Sequence, residues 1–311
     1  MKREAIFGAK KIEIGDNLSP IPEETVEDWK NVPVKECGEP LVPVGAFSTF
    51  DNCDTEAYYF NLKQTADRKA NLVSHFVRVG VLEKLKVAQG YLPKGYYLRL
   101  YDTYRPLEVQ REIFDGQKEK LRKLHPDWDE GKLDDEVQRY VTLPSPNTER
   151  ETTHPSPHST GGVIDLTIIK IDEEGEKLLE ELERKKKTGE FSVYECSARK
   201  AGIFKKFGVP LNMGADFDHF EIESQTRYLE RLAKERELTS VKREALRNRR
   251  FLYAVLKKAG FTNYPEEWWH WSFGDSMNAV TTDKNHAIYG GVMLSDENVA
   301  FENTRRQGKR L

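Results

Sequence analysis

The chain has 311 residues, with 38% hydrophobic and 32% charged residues and a formal net charge of −3. It is long enough for one large domain or two small ones, and it carries no bulk positive charge that would point to nucleic acid. No apolar run approaches the length of a membrane span, so neither nucleic acid nor membrane is expected as a partner.

Met1-Lys2-Arg3-Glu4-Ala5-Ile6-Phe7-Gly8 has a basic start without an apolar signal core, which leads to an expected cytoplasmic location. Residues 1–46 read as an extended arm, punctuated by Pro20, Pro22, Pro33, Pro40 and Pro43 and ending in a strand at Leu41-Val42-Pro43-Val44. Cys37, Cys53 and Cys196 are widely spaced and odd in number, which disfavours a disulfide framework or a cysteine zinc cluster.

From Ala66 to Gln89, apolar residues fall at helical spacing (Leu72, Val73, Phe76, Val77, Val81, Leu82, Leu85, Ala88), which predicts a long helix stopped at Gly90. Tyr96–Asp102 predicts a strand. Arg105 follows it beside Pro106. A guanidinium there suits either an ion pair at a helix start or stabilisation of a developing oxyanion. A second amphipathic helix covers Leu107–Lys123. Residues 125–155 read as loop around a short helix near Asp134–Val141, with His125 and His154 at the surface or behind the site.

Ser156-Pro157-His158-Ser159-Thr160-Gly161-Gly162-Val163-Ile164-Asp165-Leu166-Thr167 sets a histidine and an aspartate seven positions apart across a double glycine. Beyond the glycines the chain alternates as a buried strand, with Asp165 inside it. A buried carboxylate needs a cation or several donors, and a turn at Gly161-Gly162 would return His158 to the same cation. Residues 171–190 form a charge-dense helix, acid first and base last, read as a solvated insertion running to about Pro210 that suits a lid or a dimer contact. Thr239-Ser240 caps a basic helix whose apolar side includes Val241, Ala245, Leu252, Val255, Leu256 and Ala259, closed by Gly260. Pro265-Glu266-Glu267-Trp268-Trp269-His270-Trp271 then places an acid and a histidine three apart among indoles. Two histidines and one carboxylate make a three-ligand zinc set with an open position, leaving Glu267 as a general base for the water.

These motifs resemble D-alanyl-D-alanine dipeptidases of the VanX type, within the wider zinc D,D-peptidase family. The family pattern Ser-x-His-x-x-Gly-x-x-x-Asp matches Ser156 to Asp165, Glu-x-Trp-His matches Glu267 to His270, and Tyr-Arg-Pro matches Tyr104-Arg105-Pro106. The resemblance runs from about Phe47 to about Gly291. It implies an α+β fold, hedgehog/D,D-peptidase-like, with a small mostly antiparallel sheet carrying the site and helices on one side. It implies one Zn2+ per chain held by His158, Asp165 and His270, with Glu267 and Arg105 catalytic. Asp218, in Met213-Gly214-Ala215-Asp216-Phe217-Asp218, would bind the free ammonium of a small D-amino-acid peptide. Ser156 would contact the substrate amine or orient His158. Phe47 falls on a substrate-wall segment where the family has tyrosine, although by its own character it reads as a core aromatic. The implied organisation is an arm over 1–46, a peptidase domain over 47–295 with an insertion near 171–210, and a tail over 296–311. The expected activity is hydrolysis of the D-alanyl-D-alanine dipeptide. A carboxypeptidase or endopeptidase acting on wall stem peptides, and a non-catalytic zinc module of the hedgehog kind, are the alternatives.

Overall fold

The computed structural model describes residues 10–61, 71–138, 141, 154–219 and 221–309. Strand β1 (Leu41–Val44) forms where the arm was expected to end. It pairs antiparallel with β3 (His75–Arg78), Leu41 opposite Arg78 and Val44 opposite His75. Short strand β2 (Asp54–Thr55) and short helix α1 (Tyr58–Asn61) lie between them.

Strand β3 corrects the expected helix over Ala66–Gln89. Residues 66–70 lie outside the described set, His75–Arg78 is extended, and the helix, α2 (Val79–Tyr91), begins after it. All four residues of β3 are buried, so no polar face betrays the two-residue period. Phe76 packs with Leu41 and Tyr104, while Val77 points into the main core.

The main sheet is built on β5 (Val163–Lys170). Strand β4 (Tyr96–Asp102) runs antiparallel along one edge, Tyr96 opposite Lys170 and Leu100 opposite Leu166. A bulge after Leu100 brings Asp102 opposite Asp165. On the other edge, β8 (His270–Ser272) pairs with the start of β5 and β6 (Val209–Pro210) with its end. The outer strands are β2, parallel to β4, and β7 (Thr262–Asn263), antiparallel to β8. The mixed, mostly antiparallel sheet agrees with the expected α+β class.

The alternation along β5 divides two layers. Ile164, Leu166 and Ile168 enter the main core with Leu98, Leu100, α2 and α8 (Ser240–Ala259). Helix α8 has the expected caps, a Thr239 side chain accepting from Lys242 N and Gly260 at φ 96°. Its Val241, expected on the apolar side, is exposed. The opposite face corrects the expectation of helices on one side only. There the insertion folds as a hairpin of α5 (Glu173–Lys187) and α6 (Val193–Phe207), packing Leu179 and Phe204 onto Ile169, Ile171 and Tyr97. Asp172 caps α5 and a Ser192/Glu195 capping box starts α6. Buried Lys200 of α6 ties the hairpin to Asp51 at 3.1 Å and joins its two helices through Glu183 of α5. The insertion is thus a packed layer over the far end of β5, solvated only outside.

The remaining helices are α3 (Leu107–Leu124), α4 (Glu130–Val137), α7 (Tyr228–Glu235), α9 (Ser276–Thr281) and α10 (Asp296–Lys309). The short helix expected near Asp134–Val141 therefore starts and ends four residues earlier. Residues 296–309 are a docked helix rather than a tail. Asn298 Nδ2 donates to Leu41 O at 3.0 Å, and Glu302 accepts from the Val73 and Ser74 amides. No described helix is long and apolar enough to cross a membrane.

Candidate metal centre

Sheet register assembles the site. Asp165 on β5 has Asp102 of β4 on one side and His270 of β8 on the other. His158 arrives from the turn Pro157–Thr160, which ends at Gly161 in the left-handed region, φ 68°. Buried Arg78 fixes that turn: its amide donates to Gly161 O at 3.0 Å and its Nε to Thr160 O at 2.7 Å. Arg78 is itself held by a bidentate pair with Glu36 of the arm, at 3.1 and 3.0 Å.

His158, Asp165 and His270 each offer a ligand atom, all within 4.8 Å of one another, and all three residues are buried. His158 Nε2 and His270 Nδ1 lie 3.4 and 3.3 Å from the Asp165 oxygens. His158 Nδ1 donates to Thr103 O at 2.7 Å, which leaves Nε2 as the lone-pair nitrogen facing Asp165. Burial, then the Arg105 charge, lowers the His158 pKa to about 3, so the ring is neutral as a metal ligand must be. Burial also opposes a charge on His270, but Asp165 and Glu267 outweigh it and push its pKa up to about 10. A divalent cation and that proton compete for the same carboxylates.

The donor set fits zinc. Two imidazoles and a carboxylate are the borderline N/O ligands that zinc takes, and Asp165 Oδ1 is buried with no hydrogen-bond partner among the described residues. Buried polar atoms are seldom left so.

Glu267 sits on the turn leading into β8, its Oε2 3.4 Å from His270 Nδ1. Burial, the largest effect, raises its pKa above the ordinary carboxylate range. Asn263 clamps this turn, donating to the carbonyls of Glu267 and His270, both at 3.0 Å. Thr226 Oγ1 donates to Asn263 Oδ1 at 2.6 Å, which orients the amide.

Arg105 makes the ion pair expected at a helix start, and the same side chain faces the site. Its Nε donates to Asp102 Oδ2 at 2.9 Å and its Nη1 to Gln110 Oε1 at 2.6 Å, beside the start of α3. It also lines a cavity of about 120 Å³ shared with His158, Asp165, Asp218, Glu267 and His270. Asp218, at φ 62°, accepts from Tyr59 Oη at 3.1 Å. Burial pushes its carboxyl up to about 7, against the opposing pull of Arg105. The loop carrying it is held by buried Arg249, which donates to Met213 O, Gln225 O and Glu223 O at 2.6–2.7 Å.

Two expected site residues lie elsewhere. Phe47 does not line the cavity; it packs on Tyr194 of α6 at 4.1 Å between ring centroids and under Arg305 of α10. It is partly buried and belongs to no core cluster of the described residues, so it is not a core aromatic either. Ser156 is buried, and its carbonyl accepts from Ser159 N and Oγ inside the turn; it is absent from the cavity wall, so a contact with the substrate amine is not supported. Of the indoles, Trp269 lines the cavity while Trp268 and Trp271 belong to the core. No described residue of 171–210 lines the cavity. Tyr59, Asp102, Gln110, Asn263, Arg249 and the arm residues Trp29 and Lys30 were not singled out from sequence. Tyr59, Arg249, Trp29 and Lys30 act through contacts distant in the chain, which no local spacing reports; Asp102, Gln110 and Asn263 act on neighbours three to seven positions away, through a bulge, a helix start and a turn.

Gly161→Ala is expected to destabilise the fold and weaken metal binding together. The left-handed backbone alone costs about 1–2 kcal/mol with a Cβ, and that Cβ would lie 2.3 Å from Leu41 Cδ2. Thermal denaturation and metal titration of the variant check this.

A family model described as D-ala-D-ala dipeptidase (Peptidase M15) matches residues 192–288, a span that holds Asp218, Glu267 and His270. A D-alanyl-D-alanine dipeptidase of Synechocystis sp. is 24% identical over 279 residues, covering 84% of this chain and 95% of that protein. Both agree with the motifs: the chain is similar to D-alanyl-D-alanine dipeptidases of the VanX type.

Proposed function

We propose that this chain hydrolyses the D-alanyl-D-alanine dipeptide to free D-alanine, using one zinc ion held by His158, Asp165 and His270. The observation that carries the reading is the convergence of these three ligands with Glu267, Arg105 and Asp218 on one cavity. A zinc ion in this donor set supplies a Lewis acid and lowers the pKa of bound water toward neutrality. Glu267, whose burial makes it a stronger base than an exposed glutamate, takes a proton from the attacking water and delivers it to the leaving amine. Arg105, immobilised by Asp102 and Gln110, offers its charge to the carbonyl oxygen as that oxygen becomes negative. Asp218 pairs with the substrate ammonium, which selects peptides with a free amine beside the scissile bond.

Asp218→Asn is expected to raise KM for the dipeptide about tenfold to a hundredfold, since it removes one member of a desolvated charge pair. In the unaltered protein KM should rise as pH falls through the Asp218 ionisation, at or below about 7, because protonation neutralises the carboxylate that the ammonium needs. Steady-state kinetics against pH measure both.

The reading is tested by offering zinc-loaded protein the free dipeptide, its N-acetyl derivative and a wall stem pentapeptide. Cleavage of the free dipeptide alone is expected. Preferred cleavage of the pentapeptide would replace the dipeptidase reading with a carboxypeptidase, because no free ammonium adjoins that bond.

A further inference from the structure

The cavity is not closed by the peptidase domain alone. Trp29 and Lys30, on a single helical turn of the arm (Trp29–Asn31), line it together with the zinc ligands. The arm is fastened on both sides of this turn. Upstream, the Ile21 amide donates to Glu230 Oε1 at 2.9 Å and Arg227 Nε donates to Ile21 O at 3.1 Å. Downstream, the amides of Lys35 and Cys37 donate to Ala287 O and Ile288 O, and Ala287 N donates back to Pro33 O. The turn rests on α9, whose Met277 also faces the cavity. Its entry at Asp28 is left-handed, φ 55°, so the chain bends sharply to put this turn there.

The charges on the wall are uneven. Among the described residues of the wall, Asp165, Asp218 and Glu267 are carboxylates, and Arg105 and Lys30 are the cations that remain once His158 and His270 serve as neutral metal ligands. Arg105 is engaged by Asp102 and Gln110. Lys30 has no carboxylate partner among the described residues; its ammonium lies 5.6 Å from the centre of the Trp29 ring. A free dipeptide is a zwitterion. If Asp218 takes its ammonium, its carboxylate still needs a cation.

We propose that Lys30 binds the free α-carboxylate of the substrate's C-terminal residue, with Trp29 as the apolar wall beside it. The arm is then a specificity element that limits the site to peptides ending there. This rests on the dipeptidase reading above and adds the second half of the recognition.

The test is the KM of the zinc-loaded protein and of Lys30→Gln for D-alanyl-D-alanine and for its C-terminal amide. Lys30 is exposed, so the substitution leaves the fold intact. The unaltered protein should favour the free acid by about threefold to fivefold, as expected of a solvent-accessible ion pair at the upper end of its range. In Lys30→Gln the ratio should collapse to near one, and Lys30→Arg should keep it. Equal cleavage of acid and amide by the unaltered protein, or an undiminished preference in Lys30→Gln, overturns the role of Lys30 and leaves the dipeptidase reading standing. Cleavage of neither compound overturns both.

Discussion

Glu267→Gln is expected to abolish turnover, by about 10³-fold or more, while the protein still binds one zinc ion. General acid–base catalysis by a positioned side chain contributes about 10²–10⁴-fold, and here one carboxylate both accepts and returns the proton. Glutamine preserves the shape and fills the same buried space, so the turn held by Asn263 stays in register. It cannot accept the proton. His158, Asp165 and His270 remain, so metal content should not change. Measuring kcat beside metal content separates the two roles. Turnover within tenfold of the unaltered protein would remove Glu267 as the base.

Asp165→Asn is expected to have the opposite signature. It should lose zinc and activity together. Asp165 is a buried carboxylate, and such a group is a burden unless a cation offsets its desolvation; zinc is that cation when bound, and protonated His270 at 3.3 Å takes its place without metal. The unaltered protein should gain about 4 kcal/mol of stability at zinc near a thousand times its Kd. The variant should gain almost none over the same range. Paired thermal scans with and without zinc read this directly. An equal zinc-induced gain in both proteins would mean that the ion binds elsewhere.

The most legible parts of this molecule were those whose signals are local. The Val163–Lys170 alternation is a strand because β-branched residues with a two-residue period bury on both faces of the sheet, and the Gly161-Gly162 turn brings His158 to Asp165 as its spacing suggests. Thr239 and Gly260 bounded α8 correctly because caps are short-range chemistry. His75–Arg78 was misread because a strand buried on both faces shows no alternation. Phe47 went to Tyr194 because the packing of the insertion, which no spacing encodes, decides its neighbour. The same holds for Arg249 gathering the carbonyls of the Asp218 loop and for Lys30 arriving from the arm. The sheet register that aligns Asp102, Asp165 and His270 depends on a bulge after Leu100 that no residue type there announces.

The most direct test of the account is release of free D-alanine from D-alanyl-D-alanine by protein stripped of metal and then reloaded with zinc. The expected result is no release from the stripped protein and recovery on addition of one equivalent of zinc. Release that survives stripping, or no release from folded protein holding one zinc ion, would contradict it.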